Sequence, residues 1–134
     1  MGSGKGTFLA NKLLDLPLSA TAFSAAATLF VGLFTTTPAA GGGGVEVTGG
    51  SYVRFSVTNN VANFPASSGG AKSNGTAWTF VTATGSWGTI TGIGIFDAST
   101  SGNMYYFADL VANKTVGNGD VFSIPAGNAS FTET

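Results

Sequence analysis

Two long runs of strand-forming residues, separated by a turn, restrict the fold of this chain more than any other feature. Residues 86–96 and 103–110 are rich in β-branched and aromatic residues, as strands are. The segment between them, residues 98–102, reads Ala-Ser-Thr-Ser-Gly and has the composition of a turn. This pattern predicts an antiparallel hairpin in the second half of the chain.

Further short strands are predicted around this hairpin. Residues 28–36 form an almost uninterrupted apolar run of the length of a central strand, and residues 52–58 alternate between polar and apolar side chains. Residues 59–76 are expected to be a long exposed loop with one short strand. The other runs are 45–47, 77–83, 121–124 and 129–132. About eight short strands with glycine and asparagine turns predict an all-β fold, an antiparallel β-sandwich, with an up-and-down barrel as the second choice.

A short helix is predicted ahead of the strands. Residues 1–6 are expected to form a flexible arm, and Thr7 is a candidate for the helix cap. Pro17 ends the helix, because the residue before a proline is pushed out of the helical region. One face of the helix carries Phe8, Leu9, Lys12 and Leu13. Since so short a helix is not stable alone, it must dock either on its own sandwich or on a neighbouring subunit.

The domain organisation follows from these elements. We predict an N-terminal arm and short helix over residues 1–18, followed by a single β-sandwich domain over residues 19–134. The longest apolar stretch, residues 20–34, is too short to span a bilayer and is interrupted by polar residues. We therefore expect no membrane anchor and no signal peptide.

The chain carries little of the chemistry that enzymes use. Histidine and cysteine are absent and only 8% of the residues are charged, which removes the commonest general base and the commonest transition-metal ligands. The net charge is −1 and the basic residues are scattered, so direct nucleic-acid binding is not expected. A weakly charged surface is often covered by a partner. These features predict a non-enzymatic building part without a cofactor or metal.

Three motifs are open to a chemical interpretation, and each has a plainer one. Residues 2–7 resemble part of a phosphate-binding loop but lack room for the preceding strand, so a flexible arm is favoured. Asp97, Asp109 and Asp120 could act in acid–base catalysis, and Asp97 and Asp120 with loop carbonyls could form a weak calcium site, but aspartates beside turns usually accept hydrogen bonds from the turn backbone. The aromatic residues of 105–107 favour core or interface positions over a sugar platform, with Tyr105 and Phe107 expected on one face and Tyr106 on the other.

Arg54 is the only arginine, and it lies on the polar face of the strand predicted at 52–58. Arginine is suited to holding a carboxylate in two hydrogen bonds, either across strands or between subunits. A solvated cross-strand charge is the alternative. The sequon-like segments that begin at Asn74, Asn113 and Asn128 are expected to be chance matches in a chain rich in asparagine, serine and threonine.

Five segments of the chain resemble corresponding segments of small virion proteins of tailed phages. The resemblance spans nearly the whole chain in order, through Leu9–Asp15, Leu29–Pro38, Gly49–Arg54, Trp87–Asp97 and Gly119–Gly127. None of these segments is a catalytic signature. Proteins that look like this are often labelled tail-fibre proteins, and similar small sandwiches serve as capsid decoration (cement) proteins.

The resemblance implies a structural role in the virion. We predict a capsid decoration protein that binds the major capsid protein or other copies of itself, as a dimer or trimer, with a tail-fibre or tail-tip receptor-binding module as the alternative. Decoration is favoured over a fibre because the chain has neither long repeats nor a coiled-coil stalk. The predicted interface is the arm and helix, residues 1–18, with Arg54; its named residues are Phe8, Leu9, Lys12, Leu13 and Arg54.

Overall fold

The structure, a computed structural model, describes residues 3–132 of the chain. The elements are β1 (Ser3–Lys5), α1 (Thr7–Asp15), β2 (Thr28–Thr36), β3 (Val45–Glu46), β4 (Phe55–Thr58), β5 (Ala71–Ser73), β6 (Trp78–Thr79), β7 (Gly88–Phe96), β8 (Met104–Val116), β9 (Ser123–Ile124) and β10 (Ser130–Thr132). All strand pairs are antiparallel. Within this range no helix is both long enough and apolar enough to cross a bilayer.

One six-stranded sheet forms the larger layer. Its strands run in the order β1-β8-β7-β2-β3, and β4 pairs with β2 on the same side as β3. Two ribbons, β5–β10 and β6–β9, form the smaller layer, and Trp78 and Ile124 of the second ribbon join Leu33 and Ile93 of the large sheet in one core. This arrangement confirms the predicted antiparallel β-sandwich, with a second layer made of two short ribbons.

The central strands of the large sheet are largely buried on both faces. Val31, Leu33, Ile93 and Ile95 face the ribbons and are essentially inaccessible to solvent. The opposite, outer face carries a smaller cluster of Phe34, Phe96 and Met104, with Phe30 and Phe107 beside it. A strand buried on both faces reads as a continuous apolar run, which is why β2 could be located from the sequence.

Glycines on the outer face make room for aromatic rings. Gly32 and Gly94 lie opposite each other in the β2–β7 register. A Cβ atom on Gly94 would lie 2.7 Å from Cε1 of Phe96 and 3.1 Å from Cε1 of Phe34, so only glycine fits beneath these rings. The rings of Phe34 and Phe96 stack, with centroids 6.0 Å apart.

Two bulges in β8 change the predicted side-chain directions. Ile95 pairs with Tyr106, but Phe96 pairs with Met104, so Tyr105 is an extra residue in the ladder. Tyr105 and Tyr106 therefore both pack against the main core while Phe107 joins the outer cluster, and the prediction that Tyr105 and Phe107 share a face is wrong. A second bulge places residues 110–113 opposite Thr91, and pairing resumes at Lys114.

Two predicted strands are shorter than expected, because a turn or isolated backbone hydrogen bonds replace regular strand pairing in part of each. The strand predicted at 52–58 begins only at Phe55, since Tyr52 is part of a turn in which its N–H donates to the carbonyl of Gly49. The strand predicted at 77–83 is reduced to β6, and Phe80 and Ala83 continue with isolated bonds to Phe122 and Asp120.

The N-terminal segment is ordered from Ser3 onward, so the predicted flexible arm is wrong over the part that the structure describes; residues 1–2 lie outside it. β1 pairs with Tyr106–Ala108 of β8, and the ring of Phe107 covers Gly4. Thr7 is not the helix cap. Gly6 holds that position, and the Thr7 hydroxyl donates to the carbonyl of Ala40 at 3.0 Å.

Substituting alanine for Gly6 is expected to destabilise the docking of β1 and α1 by about 1–3 kcal/mol, the usual cost of overpacking. Gly6 is buried, its N–H donates to the Tyr105 carbonyl at 2.8 Å, and a Cβ atom there would overlap the Met104 carbonyl oxygen. Urea unfolding monitored by tryptophan fluorescence measures the change. Gly41→Ala is the matched control, because a Cβ atom on Gly41 meets nothing within 4 Å; equal stability of the two variants would contradict this account.

Candidate functional site

A group of hydrogen-bonded polar residues lies on the outer face of the large sheet and is centred on Arg54. Arg54 immediately precedes β4, and Glu46 lies on β3. Both strands pair with the same edge of β2, at neighbouring positions along it. The guanidinium binds the carboxylate through two hydrogen bonds, each 2.8 Å long, from Nε to Oε2 and from Nη2 to Oε1. Gly32 lies beneath this pair, where a Cβ atom would come within 2.8 Å of Glu46 Oε2.

The other side of the guanidinium connects the cluster to the β7–β8 turn. Nη1 donates to the carbonyl oxygens of Ala98 and Ser101, both at 2.9 Å. The plane of the group lies over the Phe96 ring, 3.8 Å from its centroid, which is a close cation–π contact. Arg54 thus fixes a turn and an edge strand to each other across the sheet, and its side chain is only 6% exposed.

Tyr52 completes the group that we call the Arg54 cluster, consisting of Arg54, Glu46, Tyr52 and Phe96. Its hydroxyl donates to Glu46 Oε2 at 2.7 Å and accepts the N–H of Leu33 at 2.9 Å. Burial raises the pKa of Tyr52, and the adjacent carboxylate raises it further, so this hydroxyl stays protonated. Burial would also raise the pKa of Glu46, but the hydrogen bonds from Arg54 and Tyr52 outweigh it and leave the pKa below its usual value of 4.5.

The lowered pKa of Glu46 predicts a loss of stability in acid. A carboxyl group whose pKa is lower in the folded chain stabilises the fold fully above its unfolded value of 4.5, and this stabilisation disappears as the pH falls through the folded value. We expect the thermal midpoint of the wild-type chain to fall more steeply below pH 4.5 than that of Glu46→Gln. Parallel curves for the two proteins in differential scanning calorimetry would contradict this prediction.

The Arg54 cluster is a structural junction. Each of the guanidinium nitrogens donates to an acceptor of the same chain, and the cleft beside it, of about 400 Å³, is lined by the glycine loop 41–44 together with residues of α1, the large sheet and the Arg54 cluster. Arg54 was predicted to hold a carboxylate either across strands or between subunits. The structure shows the bond across strands, to Glu46. Sequence reasoning did not include Glu46 and Tyr52; the available signal was that Glu46 is the single glutamate between Met1 and Ser130 in a chain with one arginine.

The four predicted interface residues of α1 are partly used within the chain. Leu9 is 3% exposed and belongs to the core, and Phe8 stacks on Tyr105 with ring centroids 6.1 Å apart. Lys12 lies beside Phe8, with Nζ 5.8 Å from the ring centroid, and Leu13 packs against the edge of the core. The helix therefore docks on its own sandwich, one of the two possibilities that the sequence left open. Contacts of these residues with another chain stay a prediction.

An apolar groove of about 900 Å³ opens beside α1, where the ribbons leave part of the large sheet uncovered. Its floor includes Leu29, Ile95 and Tyr105, and α1 contributes one wall through Leu9 and Leu13. The backbone of residues 23–27 forms part of the rim and is fixed by the Ala26 N–H, which donates to the Tyr105 hydroxyl at 3.2 Å. The other wall comes from residues 59–72 and from β10. We call this surface the α1 groove. It was not predicted from the sequence.

The remaining sequence motifs have structural roles. Asp97 accepts the N–H and the side-chain amide of Asn103, and Asp120 accepts the N–H of Gly117, as predicted for aspartates at turns. Asp109 lies exposed on β8. Within residues 3–132 no three potential metal-ligating side chains are grouped together. The Asn74 side chain is buried and bonded to backbone groups, so it is inaccessible as a sugar acceptor in the folded chain.

The chain matches a known protein family over residues 4–132, which include almost all of the structure described above. The family is described as podophage GP4 fiber I protein gp80. This chain belongs to that family. The match confirms the resemblance to virion proteins of tailed phages, and it identifies the chain as a phage structural protein of a fibre family. No curated protein matches the chain.

Proposed function

We propose that this member of the fiber I family is a non-enzymatic structural module of the fibre apparatus of its phage. The observation that carries the proposal is the family match over residues 4–132, because it covers the sandwich and α1 as one unit and refers to a fibre protein. The sequence favoured capsid decoration, with a tail-fibre module as the alternative. The family name favours the tail-fibre module.

The geometry of the polar groups supports a structural role. Arg54 bonds Glu46 and two turn carbonyls, and Asp97 and Asp120 bond the backbone of their own turns. Arg54, Asp97 and Asp120 are thus engaged in holding turns and loops in place. The α1 groove is lined mainly by apolar groups that suit a protein partner.

Capsid decoration is the second candidate, and the shape of the domain favours it. Its longest strand, β8, has 13 residues, and the sequence has no repeat or heptad from which a long shaft could be built. A compact module of this kind suits repeated attachment to a lattice, with the major capsid protein as its partner. It also suits a terminal or attachment module of a fibre.

Localisation on purified virions decides between the two candidates. A peptide epitope inserted between Gly42 and Gly43 is suitable for gold labelling, because neither glycine would bring a Cβ atom within 4 Å of a neighbour. Label on the fibres would support the proposal, and label distributed over the capsid faces would support decoration. Virions without label, with the tagged chain intact in the lysate, would overturn both. Untagged virions serve as the control.

A further inference from the structure

An exposed apolar segment projects from the molecule at the end of α1. Leu14, Leu16 and Leu18 are 58%, 48% and 75% exposed, so three leucines within five residues face solvent. We call residues 14–18 the leucine segment. Exposed apolar groups that are clustered in this way mark interaction surfaces more often than scattered ones do.

The leucine segment is held in a defined conformation. The N–H of Leu16 donates to the Lys12 carbonyl at 3.2 Å, and the N–H of Leu18 donates to the Leu14 carbonyl at 3.1 Å. The N–H of Thr21 then donates to the Asp15 carbonyl at 3.1 Å, and Pro17 restricts the backbone between them. Because the segment is already ordered, binding does not have to offset the loss of its conformational freedom.

The leucine segment cannot enter the α1 groove of its own chain. Leu13 lines that groove, whereas Leu14, Leu16 and Leu18 do not, since α1 itself forms the wall between the two surfaces. The apolar groove and the apolar projection are therefore separate, adjacent surfaces of the same molecule, and a projection can fill a groove only between copies.

The charges of the two surfaces are complementary. Among residues 3–132, Lys72 is the one charged residue that lines the groove, and Asp15 is the one charged residue of the leucine segment; both side chains are exposed. A segment of a second copy that inserts its leucines can thus bring a carboxylate to the single ammonium group of the groove. Complementary charge of this kind sets orientation and register more than affinity.

We infer that the α1 groove binds the leucine segment of a second copy of this chain, so that the protein is a homo-oligomer. The donor and acceptor surfaces differ, so a copy can give one segment and receive another, in a reciprocal pair, a closed ring or an open chain. The contact covers Leu29, Tyr105 and Phe131 on the groove side and Leu16 and Leu18 on the other. It does not depend on where in the virion the chain is located.

The first test uses the full chain in sedimentation velocity and equilibrium experiments. The wild type is expected to sediment as a dimer or a larger oligomer. Leu16→Glu/Leu18→Glu is expected to weaken association at least about 100-fold, because each buried leucine contributes about 1.5–3 kcal/mol. Val111→Glu is the control, since Val111 is 85% exposed and does not line the groove. A wild-type monomer at its highest soluble concentration would overturn the inference.

The second test asks whether the two proposed surfaces meet. Asp15→Lys and Lys72→Glu are each expected to weaken association about tenfold, and the double variant is expected to restore it, because the swap reverses both charges. A lysine at the C-terminal end of α1 is compatible with the helix dipole, so folding is retained. Additive weakening in the double variant, or association that is unaffected by the leucine substitutions, would show that the copies meet elsewhere.

Discussion

Replacing Asn74 with alanine is expected to lower the free energy of unfolding by about 3–5 kcal/mol, a large part of the 5–15 kcal/mol typical of a single domain. Asn74 is 1% exposed. Its amide nitrogen donates to the carbonyls of Thr76 and Pro125, at 2.9 and 3.1 Å, and its side-chain oxygen accepts the N–H groups of Gly127 and Ala129, at 3.1 and 3.0 Å.

The position of Asn74 explains why the effect should be large. The residue follows β5 and precedes β6, and it bonds the segment between β9 and β10, so it holds the two ribbons of the smaller layer together. Alanine removes all four side-chain bonds and leaves the Ala129 N–H without its partner in a buried site, where an unsatisfied group costs about 1–3 kcal/mol. The ribbons then lose the connection that positions Trp78 and Ile124 over the sheet.

Urea unfolding monitored by tryptophan fluorescence measures this change. Asn113→Ala is the matched control, because Asn113 starts an equivalent sequon-like segment but is exposed on β8, and its replacement is expected to change stability by less than about 0.5 kcal/mol. Asn74→Asp tests the donors separately, since it keeps the acceptor oxygen but removes both N–H groups. A wild-type unfolding curve for Asn74→Ala would show that packing and the backbone bonds between residue 74 and residues 127 and 129 hold the ribbons without this side chain.

The large sheet was predictable because its signal is local. The apolar run at 28–36 coincides with β2, and the hairpin was located through the glycine and aspartate turn between its strands. Asp97 behaves as its position beside the turn predicted, accepting the N–H of Asn103 at 2.7 Å. Strand periodicity and turn chemistry are properties of a few neighbouring residues, so one sequence is enough to detect them.

The smaller layer and the candidate surfaces could not be predicted because they depend on distant residues. The ribbon β5–β10 joins Lys72 to Phe131, and nothing in either segment specifies the other. The extra residue at Tyr105 reverses the expected faces of the aromatic residues, and a single sequence carries no mark of a bulge. The α1 groove exists because the ribbons stop short of α1, which is a property of the assembled layers.

Replacing Arg54 with methionine is expected to lower the free energy of unfolding by about 2–4 kcal/mol at neutral pH, because the ion pair is partly buried and breaking one side of a fully buried pair costs about 3–5 kcal/mol. Methionine keeps most of the apolar stem but removes the bonds to Glu46, Ala98 and Ser101 and the contact with Phe96. Arg54→Lys keeps the charge without the planar fork, so its loss is expected to be smaller but still above about 1 kcal/mol.

A double-mutant cycle separates the ion pair from the other contacts of Arg54. Arg54→Met/Glu46→Gln is expected to be more stable than the sum of the two single changes predicts, because it leaves no uncompensated buried charge. Strict additivity in urea unfolding would mean that the carboxylate contributes nothing to the role of Arg54, and that the bonds to the turn carbonyls account for all of it.

The pH dependence of the Arg54→Met protein gives the most specific evidence for the cluster. Burial is the largest influence on the pKa of Glu46 and it acts to raise that pKa, whereas the hydrogen bonds from Arg54 and Tyr52 lower it. Without Arg54, burial outweighs the remaining bond from Tyr52, so the folded pKa is expected to lie above the unfolded value of 4.5. A group with a raised folded pKa stabilises the fold below its unfolded value and loses that effect as the pH rises. Between pH 4 and pH 6, the free energy of unfolding should therefore rise with pH in the wild type when it is compared with Glu46→Gln. It should fall with pH in Arg54→Met when that protein is compared with Arg54→Met/Glu46→Gln. Lost packing alone would leave the sign of this slope unchanged.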